Sequence, residues 1–260
     1  MSIIYLAICF FASLIGAICG IGGGVIIKPV LDAVGEMNVS TISFLSGCTV
    51  LSMSAYSVLK ERISGNSQLD AKRGIPIAVG AALGGLLGKI LFSYAVSTCA
   101  NLNNVGVIQA IALLLITLGT LVFTINKQKI KTYNIEKILC CILVGTILGV
   151  ISSFLGIGGG PINLVVLFFF FSMPTKVAAE TSICVILISQ IASLITSCIT
   201  KSVPSFALAV LIIMVLGGIL GGIVGRAVNK KIDELIVDKL FVKAMMVIIM
   251  INVYNIYKFL

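Results

Sequence analysis

The chain has 260 residues, of which 59% are hydrophobic and 10% charged, with a formal net charge of +9 and a mean hydropathy of +1.21. Soluble domains carry about 25% charged residues, so a soluble enzyme is excluded and the bilayer is the expected solvent. The positive balance is read as loop charge that orients a membrane protein, not as affinity for nucleic acid.

A spanning helix needs about 20 mostly apolar residues. In chain order such runs occupy Ile3–Ile27, Thr41–Leu59, Ile75–Val96, Val105–Ile125, Ile138–Phe171, Val177–Ile199, Phe206–Gly225 and Leu240–Tyr257. The first lacks a basic start and an Ala-x-Ala-like site, so it is expected to be retained and not cleaved as a signal peptide. No hydrophilic stretch is longer than a loop, which predicts one integral membrane domain over 1–260 and an all-α polytopic fold. Cys9, Cys19, Cys48, Cys99, Cys140, Cys141, Cys184 and Cys198 lie mostly in the apolar runs without metal-ligand spacing and are expected as small buried hydrophobes. With no histidine, no metal cluster and no nucleophile–base arrangement, neither a cofactor nor an enzymatic function is expected.

The chain repeats itself. An offset of 136 carries Gly20-Ile21-Gly22-Gly23-Gly24 onto Gly156-Ile157-Gly158-Gly159-Gly160, Met37 onto Met173, Ser46 onto Ser182 and Cys48 onto Cys184. After a one-residue slip, Gly84-Gly85-Leu86-Leu87-Gly88-Lys89 maps onto Gly221-Gly222-Ile223-Val224-Gly225-Arg226. Two repeats follow, 1–130 and 131–260, each a glycine-broken segment plus three transmembrane helices. If each broken segment crossed once, the loop cations would divide ten to six between the two faces, a poor bias. If it is re-entrant, or a short helix pair, all the loop cations except Lys28, Lys201 and Lys258 share one face, a strong cytoplasmic signature. The halves are then inverted, with both termini outside.

The two tetrads carry the functional expectation. Backbone interrupted at membrane depth leaves N–H and C=O groups unpaired, and it is tolerated only inside protein or against a water-filled cavity. Breaks at matching places in two inverted halves point to a transporter's binding site. Short helices restarting at Val25 and Pro161 would aim free N–H groups at each break, and such ends attract anions. The expected substrate-binding set is the backbone of Gly22, Gly23, Gly24, Gly158, Gly159 and Gly160, with hydroxyls of Ser46, Thr49, Thr181 and Ser182, and Asn163 and Gln190 in second rank. Each hydroxyl could equally bond the backbone of its own helix. Glu180 is either an intramembrane proton carrier or a complement to the start of its helix. Lys28 either supplies positive potential or snorkels to the outer interface, the favoured reading. Lys89, well inside its run, is a possible charge for coupling. Gly84, Gly85, Gly88, Gly217, Gly218, Gly221, Gly222 and Gly225 recur at helical spacing and are read as close helix packing.

The duplicated "GIGGGVIIKPVL" and "GIGGGPINLVVL", with "AAETS" at Ala178–Ser182 opening the next helix, resemble the sulfite exporter TauE/SafE family, also called the toluene sulfonate uptake permeases. The resemblance covers essentially the whole chain. It implies a carrier in a prokaryotic inner membrane that moves a sulfur-containing anion such as sulfite, thiosulfate, sulfoacetate or an aryl sulfonate, with protons a possible coupling ion. A passive anion channel or a membrane scaffold remains the alternative.

Overall fold

The computed structural model describes residues 2–65, 70–98 and 102–259. The described residues are helical, without strands, in ten α-helices: α1 (Ser2–Cys19), α2 (Gly24–Val34), α3 (Val39–Ser64), α4 (Ala71–Thr98), α5 (Leu102–Asn126), α6 (Ile138–Leu155), α7 (Gly160–Phe171), α8 (Thr175–Ile199), α9 (Leu208–Asn229) and α10 (Glu234–Phe259). Six of them, α3, α4, α5, α6, α8 and α9, are long and apolar enough to cross a membrane. Large hydrophobic side chains such as Leu83, Leu87, Leu115, Val122, Leu216 and Met250 are exposed, as a surface solvated by lipid requires and one solvated by water does not. α10 has the length of a span, while its first turns carry Glu234, Asp238, Lys239 and Lys243.

The helix ends follow from local chemistry. α2 stops at Gly35, which takes a left-handed conformation (φ 75°) and donates its N–H to Leu31 O. α3 begins where the Asn38 side chain accepts from Thr41 N at 2.9 Å, satisfying a donor that the first turn leaves unpaired. α7 carries Pro161 in its first turn, where a missing N–H costs nothing.

Both broken segments fold back as hairpins. The Tyr5 hydroxyl near the start of α1 donates to Glu36 just past the end of α2. Tyr133 N and Ile135 N, preceding α6, donate to Phe169 O (2.7 Å) and Phe170 O (3.0 Å) near the end of α7. Contacts gather the chain's turns at two ends. At one, Lys258 donates to Asp32 O (3.1 Å) and Ala33 O (2.8 Å), and Thr41 Oγ1 to Ser205 O (3.4 Å). At the other, Arg73 bonds Phe171 O (2.8 Å) and Glu136 (3.1 Å), Lys127 pairs with Asp238, and Lys176 N donates to Glu234 (3.3 Å).

The interior is zipped by glycine. Cβ atoms placed on Gly80, Gly84 and Gly88 of α4 would lie 2.1, 2.1 and 2.4 Å from the carbonyl oxygens of Ile142, Thr146 and Val150 on α6. On α9, Gly217, Gly221 and Gly225 meet Leu6 O, Phe10 O and Leu14 O of α1 at 2.8, 2.2 and 2.4 Å in the same way. Only a missing side chain lets backbones approach so closely, so these glycines are packing residues. α3 and α8 pack against each other, as do α5 and α10.

The cysteine expectation needs correction. Cys9, Cys19 and Cys141 are buried, but Cys48, Cys140 and Cys184 are half-buried and Cys198 is exposed, because the faces of α3, α6 and α8 that carry them are only partly covered. All seven are free thiols. Cys99 lies outside the described residues.

Candidate functional site

α1 and α2 part at Gly20–Gly23, and α6 and α7 at Gly156–Gly159. Gly20, Gly22, Gly156, Gly158, Gly159 and Gly160 all have φ between 58° and 112°, a region that costs any L side chain. The breaks are tied back to the helices before them: Ile21 N donates to Gly16 O at 3.1 Å, and Gly156 N and Ile157 N both donate to Ser152 O, the latter at 3.3 Å. The N–H groups of Gly22, Gly23, Gly24, Gly158, Gly159 and Gly160 donate to no other described residue. The helices restart at Gly24 and Gly160, one residue before the expected Val25 and Pro161.

The two breaks touch. A Cβ on Gly24 would lie 2.4 Å from Ile157 O, and one on Gly160 3.3 Å from the Val25 side chain. Val50 of α3 and Ile186 of α8 cover both: Ile186 is 3.1 Å from the Gly22 Cβ position, and Val50 and Ile186 are 2.7 and 3.4 Å from that of Gly158. Gly20 packs on Ala179 and Gly156 on Ser43. For Gly22 and Gly158 with Val50 and Ile186, and for Gly20 and Gly156, the offset of 136 exchanges the partners.

The expected hydroxyls separate into two classes. Thr49 Oγ1 donates to Leu45 O at 2.9 Å, the bond within its own helix that was the alternative to ligand contact. Ser46 Oγ, Thr181 Oγ1 and Ser182 Oγ are buried with no hydrogen-bond partner among the described residues, as are Asn163 Oδ1 and Gln190 Nε2. Asn163 Nδ2 lies 2.5 Å from the Cβ position of Gly159, which places this side chain against the second break. A buried polar atom without a partner costs about 1–3 kcal/mol.

Two chambers flank the breaks. A cavity of about 530 Å³ is lined by Ala17, Glu61, Lys176, Ala179, Glu180, Ile183, Arg226 and Asn229. A second, of about 10 Å³, is lined by Ser43, Phe44, Gly47, Lys89, Phe92, Ser153, Gly156, Gln190, Ser193 and Ser197. Ala17, Ala179, Glu180 and Ile183 are the offset counterparts of Ser153, Ser43, Phe44 and Gly47, and Arg226 is that of Lys89. One chamber is open and its counterpart is shut. In the open chamber Arg226 pairs with Glu61, and Lys230 approaches the same carboxylate at 3.8 Å. Sequence reasoning passed over Glu61 and Arg226 as site residues: they are distant in the chain, and only the mapping of Lys89 onto Arg226 hinted at the second.

The sequence pattern of the sulfite exporter TauE/SafE family matches residues 5–253. The chain belongs to the sulfite exporter TauE/SafE family. None of the curated proteins and none of the solved structures matches it. As a TauE/SafE member with six long apolar helices, it is a multi-pass membrane transporter.

Within this TauE/SafE chain, two charged residues stand differently from expectation. Lys28 does not snorkel: it is 3% exposed and its Nζ is 2.7 Å from Asp32 on the next turn of α2, because the pair neutralises itself and can stay inside. Glu180 does not complement a helix start. α8 begins at Thr175, its first turn holds no acid, and Glu180 lines the open chamber. Lys89 is buried, 4.8 Å from the centre of the Phe92 ring.

Proposed function

We propose that the protein is a secondary carrier for a small sulfur-containing oxyanion such as sulfite, thiosulfate or an organosulfonate, working by alternating access between two inverted halves, 1–130 and 131–260. The observation that carries this reading is the pair of counterpart chambers, one open and one shut, on either side of two touching helix breaks. An exchange of contacts between halves converts one state into the other in a carrier of this kind. The unbonded N–H groups of Gly22–Gly24 and Gly158–Gly160, with Ser46, Thr181, Ser182 and Asn163, are the neutral donors that an anion stripped of water requires.

The open chamber holds Lys176 and Lys230 and lies at the end where Arg73, Lys127 and Lys176 gather. By the positive-inside rule that end is cytoplasmic, both termini are outside, and the protein faces inward in an inner membrane. Glu180, in the open chamber, is suited to carry a coupling proton. Flux of radiolabelled sulfite and thiosulfate into proteoliposomes tests the proposal. Saturable flux that responds to an imposed proton gradient is expected; flux linear in concentration and indifferent to the gradient would instead mark a passive anion channel.

A further inference from the structure

Resting on that carrier reading, we propose that the shut chamber around Lys89 is a dedicated oxyanion site, the position the substrate takes when the protein opens to the side opposite the present cavity. Lys89 of α4 is 6% exposed, stands over the Phe92 ring and forms no ion pair with a carboxylate among the described residues. A buried ammonium without a counter-charge is unstable unless something negative visits it. Around it stand Ser43 of α3, Ser153 of α6 and Gln190 of α8, 7%, 4% and 3% exposed. Ser43 Oγ, Ser153 Oγ and Gln190 Nε2 all lack hydrogen-bond partners among the described residues. Four helices thus bring one positive charge and three idle donors to one small space.

The comparison with the open chamber sharpens the assignment. There the counterpart cation, Arg226, already has a carboxylate in Glu61. The offset carries Glu61 onto Ser197, which lines the Lys89 chamber and has no charge. Where one chamber supplies its own anion, the other leaves the place to the ligand. Several donors approaching from separate helices suit an anion with several oxygens, each able to accept its own bond, and suit a spherical halide poorly. Ser43 also touches Gly156, at 2.9 Å from its Cβ position, so the site adjoins the second break and its unbonded amides.

The test uses the purified full-length protein in detergent, with thermal aggregation followed by light scattering because the chain contains no tryptophan. Sodium sulfite, thiosulfate and sulfoacetate are titrated, with sodium chloride at equal ionic strength. At least one sulfur oxyanion should raise the melting temperature, and chloride should not. Lys89→Met should raise the half-maximal concentration at least tenfold and Lys89→Arg should keep it within about threefold. Each variant is compared with its own unliganded melting point, so lost stability does not mimic lost binding. Ser153→Ala and Gln190→Leu, which leave the charge in place, should each weaken binding severalfold and stand in for Lys89→Met should that variant fail to fold. The site is overturned if no sulfur oxyanion stabilises the wild type, if chloride does so equally, or if all these variants titrate as wild type. Saturable liposome flux alongside unchanged titrations would refute the site and leave the carrier standing; Lys89-dependent binding without saturable flux would do the reverse.

Discussion

A lysine in an apolar run can be paid for in two ways, and α2 and α4 use one each. Lys28 has Asp32 four residues on, 2.7 Å away, with both side chains buried. Removing one member of such a pair strands the other: Asp32→Asn is expected to destabilise the protein by about 3–5 kcal/mol. The double variant Lys28→Met, Asp32→Asn removes the charge altogether and should recover most of that loss. Detergent melting curves of the two variants check the order, and a single variant as stable as wild type would mean that Lys28 has another counter-charge. The pair was legible in the sequence, since an acid four residues after a lysine on a helix lies on the same face; attention to the lysine alone suggested the interface. Glu61 and Arg226 could not be found this way, because only the packing of α3 on α9 brings them together.

At the scale of helices, the breaks were readable because three adjacent glycines cost a helix more than close packing can return. Both were located to within a residue. Their mutual contact was not readable: it depends on Val50 and Ile186 lying across both, and a hydrophobic residue inside a hydrophobic helix carries no mark of its partner. The glycine stripes on α4 and α9 were legible as packing, though not which helix each would meet. Their consequence is measurable. A methyl on Gly221 would sit 2.2 Å from Phe10 O, a backbone atom that can yield only if α1 moves, so Gly221→Ala should cost about 1–3 kcal/mol. Gly119 of α5 has nothing within 4 Å of its Cβ position, and Gly119→Ala should be neutral or stabilising by up to about 1 kcal/mol. Melting temperatures that fall equally for both would show that helix propensity, not the α1–α9 approach, governs the effect.

For the whole molecule, the exchange of contacts between halves is the central physical fact. Gly20 packs on Ala179 as Gly156 packs on Ser43, and α9 rides on α1 as α4 rides on α6. Under the alternating-access proposal, sets of contacts so alike should differ little in free energy, so the two states related by exchanging the halves should lie close together, and a modest differential affinity for substrate should shift the balance between them. Glu180 in the open chamber and Phe44 in the shut one are offset counterparts, which makes them reporters of opposite states. With the reactive native cysteines replaced, Glu180→Cys should react with an impermeant maleimide from the cytoplasmic face, while Phe44→Cys stays shielded from both faces. Saturating substrate that drives the protein toward the opposite state should slow the first reaction and expose Phe44→Cys from the outer face alone. Rates for the two sites that rise together would mean a continuous path through the protein, and the alternation of access would have to be given up.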